Sequence, residues 1–166
     1  FSDRAAEAQK RADLVTNYWD WSPRASAEWL YQHFGGTAPT HHLFGLREAV
    51  TMLLDEGLEH VWERHSRLSA AVWAAVEAWG QGGPLRFNVE DPKFRSHAVT
   101  SLRIGKPLGT SLRMWLIENA GVTLGIGLGM NSEDDPGADG YFRIAHMGHV
   151  NSHMVLGALG TIEAGM

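Results

Sequence analysis

The chain reads as an α+β fold: a short sheet with helices packed on one face, preceded by a long helix and an irregular arm. Three observations predict this. Apolar residues recur at steps of three and four from Leu43 to Trp79, the signature of helices with one buried stripe. Later segments are short, apolar and alternating, which is the pattern of half-buried strands. The order is helix, helix, strand, strand, helix, strand, strand, helix, which groups the elements instead of interleaving them as a doubly wound sheet would.

Each element has its own signal. Residues 3–12 are Ala-rich and charged behind a cap at Ser2 or Asp3, which predicts a short helix. Periodicity fails from Asn17 to Pro39, where Tyr18, Trp19, Trp21, Trp29, Tyr31 and Phe34 crowd among Ser22-Pro23 and Gly35-Gly36. So many rings in an irregular arm need another surface to cover them. Leu43, Leu46, Val50, Leu53 and Leu54 then mark a helix, with Thr40 as its candidate cap and Gly57 as its stop. A longer helix carries Leu58, Val61, Trp62, His65, Leu68, Val72, Val76 and Trp79 on one face and ends at Gly80-Gln81-Gly82-Gly83-Pro84. Leu85, Phe87 and Val89 predict a strand stopped by Asp91-Pro92, and residues 98–104 a second one. Leu112, Trp115 and Leu116 predict a helix capped by Thr110 or Ser111 and closed near Gly121. Strands are expected over 122–126 and 141–144, separated by a Gly- and Asp-rich loop, and a closing helix from Ser152.

The bulk numbers exclude several functions. With 14 basic against 19 acidic residues, a net charge of -5 and no basic run, nucleic acid is not an expected partner. The chain has no cysteine, which removes disulfides and thiolate metal sites and is compatible with a cytoplasmic location. No apolar run approaches the roughly 20 residues of a membrane span. The chain opens Phe1-Ser2-Asp3-Arg4 without an initiator Met, as a piece of a longer polypeptide would.

Among chemistry-bearing residues, His146, His149 and His153 have metal-like steps, but Gly148 and the Val150-Asn151-Ser152 cap interrupt any common helix, so no metal site is expected. Gly125-Ile126-Gly127-Leu128-Gly129 lacks the spacing of a dinucleotide loop and fits a backbone passing close to a ligand or strand. No nucleophile-and-base group can be assembled. Arg143 is the most informative residue, because it sits among Tyr141, Phe142, Ile144 and Ala145. Either it pairs with an acid such as Asp139 or Glu133, or its fork binds a carboxylate, and the residues alone leave both open.

Taken in order, these segments resemble the class V, fold-type-I pyridoxal-phosphate aminotransferases, in the alanine-glyoxylate and serine-pyruvate branch. Phe1-Ser2-Asp3-Arg4-Ala5 is similar to the stretch after the family's cofactor-lysine loop, and Thr37-Ala38-Pro39 to its Tyr-His-His-Thr-x-Pro motif. Leu46-Arg47-Glu48, Gly57-Leu58-Glu59, Trp62, Arg64 and His65 match the long-helix signature. Asp91-Pro92 with Arg95, Gly127-Leu128-Gly129, and Phe142-Arg143-Ile144 through Gly148 complete the series.

The resemblance implies the C-terminal part of a homodimeric enzyme that moves an amino group between an amino acid and a 2-oxo acid, glyoxylate or pyruvate. Residues 1–39 would end the large domain and form an interdomain and dimer arm; residues 40–166 would be the small domain, with a mostly antiparallel sheet. Pyridoxal 5'-phosphate would be the cofactor. The family's cofactor lysine lies upstream of the position of Phe1, so Lys10, Lys93 and Lys106 are not its equivalents and no catalytic residue is expected within the chain, which alone would be inactive. Arg143 matches the arginine that grips the substrate carboxylate, and Thr37 a residue that holds the cofactor phosphate of the partner subunit. Here Phe34 replaces the family's Tyr and Gly35-Gly36 its His-His, so a hydroxyl is lost and two N–H groups come free for an anion. A lyase, a pyridoxamine-pyruvate aminotransferase, or a non-catalytic ligand-binding domain of the same fold would share these features.

Overall fold

Local chemistry sets the first elements. The Ser2 hydroxyl accepts from Ala5 N–H and starts α1 (Asp3–Lys10). In the arm, Pro23 lies in the first turn of α2 (Ser22–Ala25), and Gln32 accepts from Glu28 and Trp29 N–H ahead of α3 (Leu30–His33). The stretch expected to be irregular therefore holds two single-turn helices. α4 spans Thr40–Glu56; Thr40 is its first helical residue and not its cap. The computed structural model describes residues 1–166 and divides into two units, Phe1–Asp55 and Glu56–Met166.

None of residues 1–55 is buried. The apolar stripe of α4 forms as predicted, yet Leu46, Phe44 and Leu54 remain exposed, as do Tyr18, Trp19 and Trp29 of the arm. Helical periodicity says which residues share a face; burial also needs a surface opposite that face.

The second unit contains α5 (Leu58–Gln81), β1 (Arg86–Phe87), a 3₁₀ turn (Pro92–Phe94), β2 (Val99–Arg103), α6 (Leu108–Ala120), β3 (Gly125–Ile126), β4 (Tyr141–Ala145) and α7 (Ser152–Gly165). The four strands form one sheet in the order β1-β2-β4-β3, all pairs antiparallel. β1 and β3 are shorter than their sequence patterns suggest. α6 starts at Leu108 with Pro107 in the cap position, so the expected caps Thr110 and Ser111 lie inside the helix, and the Thr110 hydroxyl is directed to Asp139 at 2.6 Å.

The pleat sorts the sheet into two faces. Thr100, Leu102, Phe142 and Ile144 point to the helical side and are buried there with Leu68, Val72, Val76, Leu116, Leu159 and Ile162. Val99, Ser101 and Arg103 of β2, with Tyr141, Arg143 and Ala145 of β4, lie on the opposite face and are half-buried or exposed. One face of the sheet is thus covered by helices, and the other is open.

Candidate functional site

Arg143 occupies the middle of β4, which like β2 is an interior strand paired on both sides. In register it sits opposite Ser101 on β2 and Gly125 on β3, so a row Gly125, Arg143, Ser101 crosses the open face. The guanidinium leans toward β3. Its Nε donates to the Ile126 carbonyl at 2.7 Å, and a Cβ on Gly125 would come within 3.2 Å of Nε and 3.5 Å of Cζ. Glycine at 125 leaves the space the fork lies in.

No carboxylate neutralises Arg143. Asp139 accepts from the Thr110 hydroxyl, and Glu133 makes no ion pair. Of the two alternatives open from sequence, the structural salt bridge is therefore not formed. With Nε tied to Ile126, the terminal Nη1 and Nη2 have no protein acceptor and are presented to the open side of the sheet. A planar fork fixed at one nitrogen, with two donors free, suits bidentate capture of a carboxylate.

Beyond β4, the turn into α7 is pinned to α5. Arg64 donates through Nη1 to the carbonyls of Gly148 and Val150, both at 2.9 Å, and through Nε and Nη2 to Glu56 at 2.6 and 2.8 Å. His65 donates from Nδ1 to the Val61 carbonyl at 2.7 Å, since a carbonyl can only accept; its Nε2 then accepts the Gly148 N–H at 3.1 Å. The Arg64 hydrogen bond holds the Glu56 carboxyl below its ordinary 4.5.

At the other side of the sheet a polar chain is buried in the core. Trp73 Nε1 donates to Thr100 Oγ1 at 3.1 Å, the Thr100 hydroxyl donates to His146 Nε2 at 2.9 Å, and His146 Nδ1 donates to the His97 carbonyl at 2.9 Å. Both ring nitrogens of His146 are thereby used, and burial pushes its pKa below the ordinary 6.5. His153 is in α7, whereas His146 and His149 lie in the strand-to-helix turn.

Gly35, Gly36 and Thr37 lie in the first unit, in the turn between α3 and α4. Gly35 has φ +68° and Thr37 is exposed, but the two N–H groups expected to be free for an anion are not, because those of Gly35 and Gly36 close α3 by donating to the carbonyls of Gln32 at 3.1 Å and Tyr31 at 3.0 Å. The Arg24 guanidinium lies directly against Gly35, a neighbour for which the sequence held no signal.

The serine–glyoxylate aminotransferase of Arabidopsis thaliana is 33% identical over 165 residues, covering 98% of this chain and 38% of that protein. The serine–glyoxylate aminotransferase of Methylorubrum extorquens is 35% identical over 162 residues, covering 96% of this chain and 38% of its own length. The chain is a distant homologue of the C-terminal part of the glyoxylate aminotransferases. Its fold agrees: the alanine–glyoxylate aminotransferase of Nostoc sp. superposes with a TM-score of 0.79 at 24% identity, covering 99% of this chain and 42% of that one. This chain thus spans less than half the length of the relatives it matches. No protein-family model matches it. No helix is long and apolar enough to cross a membrane.

Proposed function

We propose that this chain is the C-terminal part of a pyridoxal-phosphate aminotransferase that passes an amino group from an amino acid to a 2-oxo acid, with glyoxylate or pyruvate as acceptor. The observation that carries the proposal is Arg143, a sheet-borne guanidinium with no acid partner and two free nitrogens, in a homologue of glyoxylate aminotransferases.

Arg143 binds the α-carboxylate of the amino acid. Because Nε is held by Ile126 and the strand is paired on both edges, the fork is preorganised, and binding costs little side-chain ordering. A carboxylate gripped at two oxygens fixes the direction of the bonds on Cα, which decides which of them is activated. At the turn matched to the cofactor phosphate, the Gly35 and Gly36 N–H groups donate to the Gln32 and Tyr31 carbonyls, so the Thr37 hydroxyl is the one donor of the three it offers an anion. The cofactor, when bound, supplies the electron sink that lets the Cα proton leave. The lysine that would carry it and move that proton belongs to a large domain preceding Phe1.

In this proposal, residues 1–39 are the end of that domain and an arm toward a second subunit, and residues 40–166 form the small domain. The wholly unburied first 55 residues support this, because their rings and the α4 stripe call for covering surfaces. The test is to express the full-length polypeptide and follow 2-oxo acid formation from candidate donors, with glyoxylate and with pyruvate as acceptors. Amino transfer is the expected result. Ammonia release without transfer would place the protein among the lyases, and a full-length polypeptide that neither binds the cofactor nor reacts would overturn the proposal.

A further inference from the structure

We infer that His65 and the Met147–Gly148 peptide form a proton-sensitive latch on the turn between β4 and α7: neutral His65 accepts the Gly148 N–H, and protonated His65 donates to the Met147 carbonyl after that one peptide has turned over. The inference is independent of the aminotransferase proposal. The imidazole is used at both ends. Nδ1 lies 2.7 Å from the Val61 carbonyl, which can only accept, so Nδ1 carries a proton and Nε2, 3.1 Å from the Gly148 nitrogen, is the bare acceptor. A second proton, at Nε2, sets a donor against a donor. The imidazolium then needs an oxygen, and the Gly148 and Val150 carbonyls already receive Arg64 Nη1, both at 2.9 Å. The Met147 carbonyl accepts no hydrogen bond. It belongs to the same trans peptide as the Gly148 N–H and points the opposite way, so rotating that peptide brings it to His65.

Position 148 permits the rotation. Its φ of +93° is one that glycine adopts without strain, and glycine takes the negative φ of the turned state as readily. Nothing lies within 4 Å of where a Cβ would stand, so the backbone has room to move. Arg64 holds the Gly148 and Val150 carbonyls throughout, which confines the change to one peptide. One hydrogen bond replaces another, so the latch alters the turn and not the stability of the fold. The charged neighbours come from three elements. Arg64 is adjacent on α5, and Glu56, at the end of α4, is bonded to it at 2.6 and 2.8 Å, which holds its carboxyl below the ordinary 4.5. The turn contributes the exposed His149 and the buried His146, whose pKa burial lowers. Arg64 and Glu56 already balance each other, so a proton on His65 adds an uncompensated charge beside Arg64 and sharpens the drive to turn the peptide.

The experiment is backbone hydrogen exchange of the full-length polypeptide, read by mass spectrometry on peptides ending on either side of Gly148 and corrected for the chemical exchange rate at each pH. Between about pH 8 and about pH 5, the range in which histidines gain a proton, the Gly148 amide should lose about tenfold in protection, the equivalent of about one hydrogen bond. The amides of β4 should keep theirs. His65→Gln, which cannot be protonated, should make the protection of Gly148 independent of pH, and His149→Gln should leave the fall in place. Gly148→Ala, strained at φ +93°, should favour the turned peptide and lower the protection already at about pH 8; it serves if His65→Gln does not fold. Constant protection of Gly148 in the parent, a fall that persists in His65→Gln, or an equal fall across β4 overturns the inference.

Discussion

Replacing Arg143 by Ala in the full-length enzyme should raise the KM for the amino acid by about 10- to 100-fold. The figure follows from the geometry. Nε is already spent on Ile126, so the carboxylate loses only the two Nη donors. A hydrogen bond to a charged group is worth a net of about 1.5–3 kcal/mol, and every 1.4 kcal/mol is tenfold. Counting the bidentate pair as about one such net bond, because the released carboxylate is rehydrated, gives the stated range. Initial rates at saturating 2-oxo acid, with the amino acid and its carboxamide compared as inhibitors or substrates, provide the assay. The carboxylate should weaken and the carboxamide should not, with cofactor retention nearly unchanged. Arg143→Lys should fall between, because an ammonium cannot fork across two oxygens. A KM within twofold of the parent, or equal weakening of carboxylate and carboxamide, would refute the assignment.

Two further outcomes concern the scaffold. Phe142 is fully buried beside Arg143, and Phe142→Ala should cost about 3–5 kcal/mol in denaturant unfolding; a loss below about 1 kcal/mol would show that the helical face of β4 is not the core. Acid should destabilise the protein in two steps. His146 has its folded pKa depressed by burial, so its contribution is complete above the ordinary 6.5 and is lost as pH falls from there through the folded value. Glu56, depressed by its hydrogen bond to Arg64, holds its contribution above 4.5 and loses it as pH falls through its own folded value. Unfolding curves at pH 7.5, 5.5 and 4 should show both declines, and His146→Gln should remove the first; an identical slope in that variant would mean other groups set it.

The sequence alone determined the longer elements and their order, because helical and strand periodicity are local and several carried their own stop: Gly57, the run from Gly80 to Pro84, and Asp91-Pro92; the single turns α2, α3 and Pro92–Phe94 are too short to leave a period. It also marked Arg143, since an arginine within an apolar strand must either pair or bind. Which of the two it does was a tertiary matter. Only the packing shows that Asp139 turns to Thr110, that Ile126 takes Nε, and that Gly125 leaves room for the fork. The clamp from Glu56 through Arg64 to Gly148 and Val150 spans more than eighty positions and has no periodic trace in the chain. Arg24 sat unremarked in the irregular arm, because its bonds to the Tyr18 and Asp20 carbonyls and its packing against Gly35 depend on how the arm turns and not on any periodic pattern. Local pattern fixes which residues form an element and which face they share; charge pairing, burial and free donors are properties of what lies opposite, and for the first 55 residues nothing opposite buries any of them.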